Sequence, residues 1–87
     1  MNVGEMTRDE FAEAVDIGAI AVFVIGATEA HGPHLPLNSD TLQPMWVAEE
    51  LDRRLENLLI FPPMSYGVHS STRNMPGTVA LTFDTMR

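Results

Sequence analysis

The sequence contains no cysteine and no lysine, and its five basic residues are all arginines. Without cysteine the chain can form neither a disulfide nor a thiolate metal site, which fits a reducing compartment. Twelve acidic residues give a net charge of -7, which disfavours nucleic acid and anionic membranes as partners. The longest apolar run is too short to span a bilayer, and the N-terminus lacks a signal-peptide pattern. We therefore expect a cytoplasmic protein.

The length and composition indicate a single globular domain at most. The chain has 87 residues, of which 45% are apolar and 7% aromatic. That composition is not typical of disorder, but a chain this short buries a marginal core when it folds alone.

The hydrophobic pattern predicts helices alternating with strands. Thr7 and Glu10 have the spacing of a capping box, so a helix should start there and end by about residue 17, where Gly18 supplies a stop. Residues 19–25 are apolar throughout and rich in β-branched side chains, which predicts a strand covered on both faces, as in a parallel sheet.

A second helix is predicted after residue 40. Pro44 is best tolerated in a first helical turn, so we expect Thr41 to be the N-cap and Asp40 to lie just outside the helix. The predicted buried stripe of this helix is Leu42, Met45, Trp46, Leu51 and Leu55. Short strands follow at 58–61 and 78–81, and Thr82 begins another helix.

These elements predict an α/β fold, but too few helices are present to cover both faces of so apolar a sheet. Only five residues follow Thr82, fewer than a helix needs to be stable alone. We therefore expect residues 1–87 to be the N-terminal portion of a single domain, or a subunit that completes its sheet by association.

The chemically informative segment is Glu29-Ala-His-Gly-Pro-His-Leu-Pro-Leu-Asn-Ser-Asp40, directly after the first strand. Ligand sites of open α/β sheets lie at this end of a strand. Glu29 and His31 are two residues apart and would share one face of an extended chain, and Asp40 can return to them if the loop folds back. Carboxylate and imidazole ligands together suit zinc or manganese.

The same segment resembles the creatininase (creatinine amidohydrolase) family, whose signature is Glu-x-His-Gly-x-His followed by an Asp at this spacing. Tyr66-Gly67-Val68 and Pro76-Gly77-Thr78-Val79 are similar to the Tyr-Gly and Pro-Gly-Thr segments of that family and occur in the same order. The family's later Asn-Gly-His motif, which brings the remaining ligands, does not occur in this chain. Where many relatives carry an acidic residue and a histidine, this chain has Ser71 and Thr72.

The resemblance implies a three-layer α/β/α domain with a mostly parallel sheet, two zinc or manganese ions in a complete site, and a homo-oligomer, usually a hexamer. Carried over by position, Glu29 and His31 would each hold one ion and Asp40 would bridge both. The implied reaction is hydrolysis of a non-peptide C–N bond of a cyclic or linear small-molecule amide, by a hydroxide that the paired ions generate. The isolated chain would be inactive.

Other readings stay open. The substrate could instead be a formamide or a peptide-derived amide, as for other members of the family. Alternatively, the chain could be a non-catalytic piece that serves in assembly.

Four more residues are candidates for the site. His34 could donate a hydrogen bond to a metal ligand, contact a substrate or shape the loop, and no general acid is assigned. Tyr66, His69 and Arg73 could contact a substrate, with Arg73 as a fork for a carboxylate or phosphate, or could belong to a solvated surface loop.

Overall fold

The computed structural model describes all 87 residues. The helices are α1 (Arg8–Asp16), α2 (Ser39–Arg54) and α3 (Phe83–Met86), and the strands are β1 (Ile20–Val22) and β2 (Leu58–Ile60). A single 3-10 turn, Val3–Glu5, precedes α1. No helix combines the length and the hydrophobicity needed to cross a bilayer.

The predicted first helix is confirmed, including the residues that start and stop it. The Thr7 hydroxyl accepts a hydrogen bond from the Glu10 amide, and the Glu10 carboxylate accepts one from the Thr7 amide, which is a complete capping box. Two residues after the helix, Gly18 adopts a φ of 80°, a conformation that favours glycine.

The sheet is parallel, as predicted. β1 pairs with β2 in the register Ile20 to Leu58 through Val22 to Ile60. Single parallel bridges extend the pairing, from Ile25 to Met64 and from Gly67 to Ala80. The strand expected at 78–81 is thus reduced to one bridge, and the strand expected at 19–25 is regular only in its middle.

Helix α2 packs against this sheet, and α1 contacts the residue after β2 through Phe11, which confirms the α/β fold class. Side chains alternate between the faces of a strand. The even-numbered residues Val24, just after β1, and Leu58 and Ile60 of β2 form the core cluster with Ala48 of α2. On the other face Phe61 stacks on Phe23 at 4.4 Å between ring centroids and contacts the edge of Phe11 in α1.

The prediction that Thr41 caps α2 is wrong. The helix begins at Ser39, and the carbonyl of Asn38 accepts hydrogen bonds from the amides of both Thr41 and Leu42. Asp40 therefore lies in the first helical turn. The Thr41 side chain is unavailable as a cap because it bonds the backbone of Ala27.

The predicted buried stripe of α2 is wrong at four of its five positions, because the helix approaches the sheet with its small residues and leaves Leu42, Trp46, Leu51 and Leu55 exposed. Its buried positions are Thr41 and Ala48, and Met45 between them is partly buried. Trp46 is 62% exposed. On β1, Ile20 is 64% exposed, so this strand is not covered on both faces as expected, and only 8 of the 87 residues are buried.

We predict that Gly26→Ala destabilises the fold by roughly 1 to 3 kcal/mol, the range for overpacking a close contact. A Cβ at this position would lie 2.6 Å from the Cα of Thr41, so α2 would have to move away from the end of β1. Urea unfolding followed by circular dichroism measures the change.

Gly4→Ala is the matched control, because a Cβ there meets its nearest neighbours at 3.4 and 3.5 Å, close to ordinary contact distance. Equal stability losses in the two variants would contradict the close approach of Gly26 and Thr41.

Candidate metal centre

The candidate centre is built on the loop between the end of β1 and the start of α2. At its first residues, the Thr41 hydroxyl accepts a hydrogen bond from the Ala27 amide at 3.2 Å and donates one to the Ala27 carbonyl at 3.1 Å. This pair of bonds ties the start of the loop to the first turn of α2. The loop therefore leaves β1 and returns to nearly the same place.

Further hydrogen bonds hold the middle of the loop. The Glu29 amide donates to the Leu37 carbonyl at 3.0 Å, which closes the loop on itself. The Ala30 amide donates to the Thr78 hydroxyl at 2.9 Å, which joins the loop to the segment near the C-terminus. Glu29 and His31 thus extend from a fixed backbone, a condition for precise ligation.

The structure brings Glu29, His31 and Asp40 together, as the sequence predicted. One ligand atom from each lies within 4.8 Å of the others. Nε2 of His31 is 3.1 Å from Oδ2 of Asp40 and 3.7 Å from Oε1 of Glu29. Glu29 and His31 are mostly buried, whereas the Asp40 side chain is 43% exposed, so one side of the cluster faces solvent.

The donor set fits a divalent cation. Nε2 of His31 is buried and makes no hydrogen bond, although Oδ2 of Asp40 is near enough, because the direction of the ring nitrogen is unsuitable. A buried polar atom without a partner costs free energy, as do two neighbouring carboxylates. A zinc or manganese ion among the three side chains would satisfy the nitrogen and neutralise the carboxylates.

Thr72 fixes the other oxygen of Glu29. Its hydroxyl donates a hydrogen bond of 2.6 Å to Oε2. The pKa of Glu29 lies below its ordinary value of 4.5, first because of this bond and next through its interaction with Asp40, against the opposing effect of burial. Glu29 is therefore kept as the charged acceptor that a metal ligand must be.

His69 lies on the same side of Glu29 as Thr72. Its Nδ1 is 4.0 Å from Oε2 of Glu29, and its Nε2 is buried without a hydrogen-bond partner. The two oxygens of Glu29 thus face different imidazoles, His31 on one side and His69 on the other. The role predicted for His69 was substrate contact, and the structure places it next to the ligands.

The remaining candidates lie farther out. His34 is exposed, lies against Gly32 and makes no hydrogen bond or ion pair with the three ligands. Tyr66 is 53% exposed. Arg73 lines a cavity of about 500 Å³ together with His69. Of the proposed substrate contacts, the structure therefore joins His69 and Arg73 and leaves Tyr66 apart.

Sequence reasoning missed three threonines that support the site. Thr41 and Thr78 hold the loop backbone, and Thr72 holds Glu29. For Thr72 a signal existed, since it occupies a position where many members of the resembled family carry a histidine. For Thr41 the signal was misleading, because a threonine ahead of a helix usually indicates a cap.

Comparison with known proteins shows which family the chain resembles. The family model described as creatininase, creatinine amidohydrolase, matches residues 4–87. The chain is 33% identical over 85 residues to the Pseudomonas putida protein named "Creatinine amidohydrolase", covering 91% of this chain and 32% of the relative. It is 31% identical over 88 residues to the Mycobacterium tuberculosis protein named "Mycofactocin precursor peptide peptidase", covering 91% of this chain and 35% of the relative.

Solved structures show the same similarity. The structure described as "Creatininase Mn" matches with a TM-score of 0.88 at 32% identity, covering 98% of this chain and 35% of that chain. A creatininase variant described as "Zn-Zn type" matches with a TM-score of 0.87 at 32% identity and the same coverage. The chain spans about a third of the length of the curated relatives it matches.

We predict that Thr72→Val raises the pKa of Glu29 towards its ordinary value, because the hydroxyl bond that favours the carboxylate is lost. A lowered folded-state pKa contributes stability above the unfolded value, and this stability is lost as pH falls through the folded value. At neutral pH the variant should be less stable than the wild type by roughly 1 to 3 kcal/mol. As the pH falls from neutral into the acid range, the variant should therefore lose less of its stability than the wild type does.

Carbon-13 NMR titration of the Glu29 carboxyl and urea unfolding at several pH values provide the measurements. Thr72→Ser keeps the hydroxyl and should behave as the wild type. An unchanged Glu29 pKa in Thr72→Val would show that the hydrogen bond does not control this carboxyl.

Proposed function

The chain belongs to the creatininase family, a family of hydrolases, and from that membership we propose that it carries part of the metal site of a metal-dependent amidohydrolase. The proposed reaction is hydrolysis of a non-peptide C–N bond in a cyclic or linear small-molecule amide. The observation that supports it most directly is the convergence of Glu29, His31 and Asp40, with ligand atoms within 4.8 Å of one another.

Glu29 and His31 would each hold one of two metal ions, and the Asp40 carboxylate would be a ligand to both. Zinc and manganese are the proposed metals, since both suit nitrogen and carboxylate donors and both occur in the descriptions of similar solved structures. Bound divalent ions lower the pKa of water so that hydroxide is available near neutral pH, and they polarise an amide carbonyl.

The other residues of the site act on the ligands and the substrate. Thr72 keeps Glu29 ionised and fixed in orientation through its hydroxyl. Asp40 projects from the first turn of α2, where the helix dipole favours a negative charge. We assign Tyr66, His69 and Arg73 to the substrate side, with His69 nearest to the ligands.

A second substrate class is a formamide or a peptide-derived amide with the same chemistry. The name of the M. tuberculosis relative, a peptide peptidase, favours the peptide-derived amide. The segment Tyr66–Asn74 would discriminate between these substrates, because it adjoins the ligands and is not part of a helix or strand.

Assembly is the alternative function, and it rests on a separate observation. Twenty large hydrophobic residues are exposed, among them Ile20, Phe23 and Ile25 in and after β1. Monomers usually tolerate apolar patches of only a few hundred Å². We therefore propose a homo-oligomer, a hexamer by family resemblance, whether or not the site is catalytic.

We expect the chain to bind zinc or manganese through the three ligands. A His31→Ala, Asp40→Ala double variant should lose the bound metal, because Glu29 is then the only one of the three ligands left, and a single carboxylate is too few donors to hold the ion. Elemental analysis after dialysis against each metal measures the content.

His34→Ala is the control, since it removes an exposed imidazole from the same loop and should leave the metal content unchanged. Equal metal content in the wild type and the double variant would refute the assignment of these ligands.

We also expect the isolated chain to associate in solution. Its exposed apolar side chains would be covered by contact with other copies, and the free energy of that burial is about 25 cal/mol per Å². Sedimentation velocity over a range of micromolar concentrations measures the mass. A monomer at all concentrations, with a cooperative thermal transition, would contradict the proposal of assembly.

A further inference from the structure

The cavity beside the metal ligands has one arginine in its wall, Arg73, whose guanidinium forms no ion pair with the ligand carboxylates. It has a volume of about 500 Å³ and is lined by Val68, His69, Arg73, Thr78, Leu81 and Phe83, among other residues. Its wall is therefore part apolar and part polar, which is the usual composition of a small-molecule site.

This cavity is joined to the ligand loop at three points. Thr78 in its wall accepts the hydrogen bond from the Ala30 amide, between the two ligands Glu29 and His31. His69 lines the cavity and faces Oε2 of Glu29 at 4.0 Å. Thr72, which bonds the same oxygen at 2.6 Å, directly precedes Arg73 in the chain. A molecule in the cavity would therefore lie next to the metal ligands.

Arg73 is the one arginine without a carboxylate partner. The other four each have an acidic side chain within ion-pair distance, which is Asp9 for Arg8, Glu50 for both Arg53 and Arg54, and Asp84 for Arg87. In a chain with a net charge of -7, acidic side chains outnumber arginines. The only unpaired guanidinium is thus the one in the cavity wall.

We propose that Arg73 recognises a carboxylate of the substrate, so that the substrate is an amide bearing one carboxylate and an apolar group. A guanidinium presents a planar fork that matches a carboxylate with two parallel hydrogen bonds. The cavity holds a single arginine and the protein is strongly acidic, which favours a singly charged carboxylate over a doubly charged phosphate. Val68, Leu81 and Phe83 form the apolar part of the wall.

This inference rests on the proposed function, because it makes the cavity the substrate side of the metal site. It adds a substrate class, since neither the ligands nor the family membership requires a charged amide. It also gives two neighbouring residues different roles: Thr72 would hold the metal ligand Glu29, and Arg73 would bind the substrate.

The test compares two probes that differ only in charge, N-acetyl-L-leucine and N-acetyl-L-leucinamide. Their dissociation constants are measured by ligand-observed NMR with the full chain, dialysed free of metal, in a buffer without phosphate or carboxylate. The wild type should bind the acid about tenfold more tightly than the amide, which corresponds to a hydrogen bond to a charged group.

Arg73→Gln should abolish this preference, whereas Arg8→Gln, which removes the same charge from a surface site, should keep it. Matching circular dichroism melts of the two variants verify that both stay folded. Equal binding of acid and amide by the wild type, or an undiminished preference in Arg73→Gln, would overturn the inference.

His31→Ala separates the inference from the proposed metal site. The variant should bind less metal and still prefer the acid, because Arg73 is untouched. If it loses the preference in the metal-free protein, the carboxylate was bound by the His31 imidazole and the role of Arg73 is refuted. If instead its metal content equals that of the wild type while the preference persists, the proposed metal site fails and the carboxylate site stands.

Discussion

The close approach of Gly26 to Thr41 is the constraint on which the candidate site depends. Only a residue without a side chain lets the segment that follows β1 come so near the backbone of α2. The Thr41 hydroxyl then bonds both backbone groups of Ala27, so the two ends of the loop are held together. Because Asp40 precedes Thr41 and Glu29 follows Ala27 by two residues, this one contact brings the ligands from both ends of the loop together.

Holding two carboxylates and a buried imidazole nitrogen together costs free energy. The hydroxyl of Thr72 offsets part of it by stabilising the charged form of Glu29. The buried Nε2 of His31 remains without a hydrogen bond. The cluster is therefore better adapted to a bound cation than to its absence, which is the balance expected where ligands serve function before stability.

The sequence predicted the local signals well and the tertiary contacts poorly. The capping box at Thr7, the parallel strands and the grouping of Glu29, His31 and Asp40 follow from patterns within a few residues, or from a motif specific to one family. The cap of α2 was misjudged because the hydroxyl of Thr41 is engaged by Ala27, which is distant in sequence. The buried stripe was misjudged because hydrophobicity pointed to Trp46, whereas the available space selected Ala48.

Stability and function are coupled in this chain because so little of it is buried. With 8 of 87 residues buried, the apolar core is small, and the loop that carries the ligands is held by backbone hydrogen bonds and by threonine hydroxyls. A ligand that binds only the folded form adds its binding free energy to the stability of that form, and contact between copies does the same. Under the proposed function, the polar cluster and the exposed apolar residues in and after β1 would therefore be two sources of stabilisation for one fold. Metal binding at the cluster would hold the loop, and association between copies would cover the strand from which that loop extends.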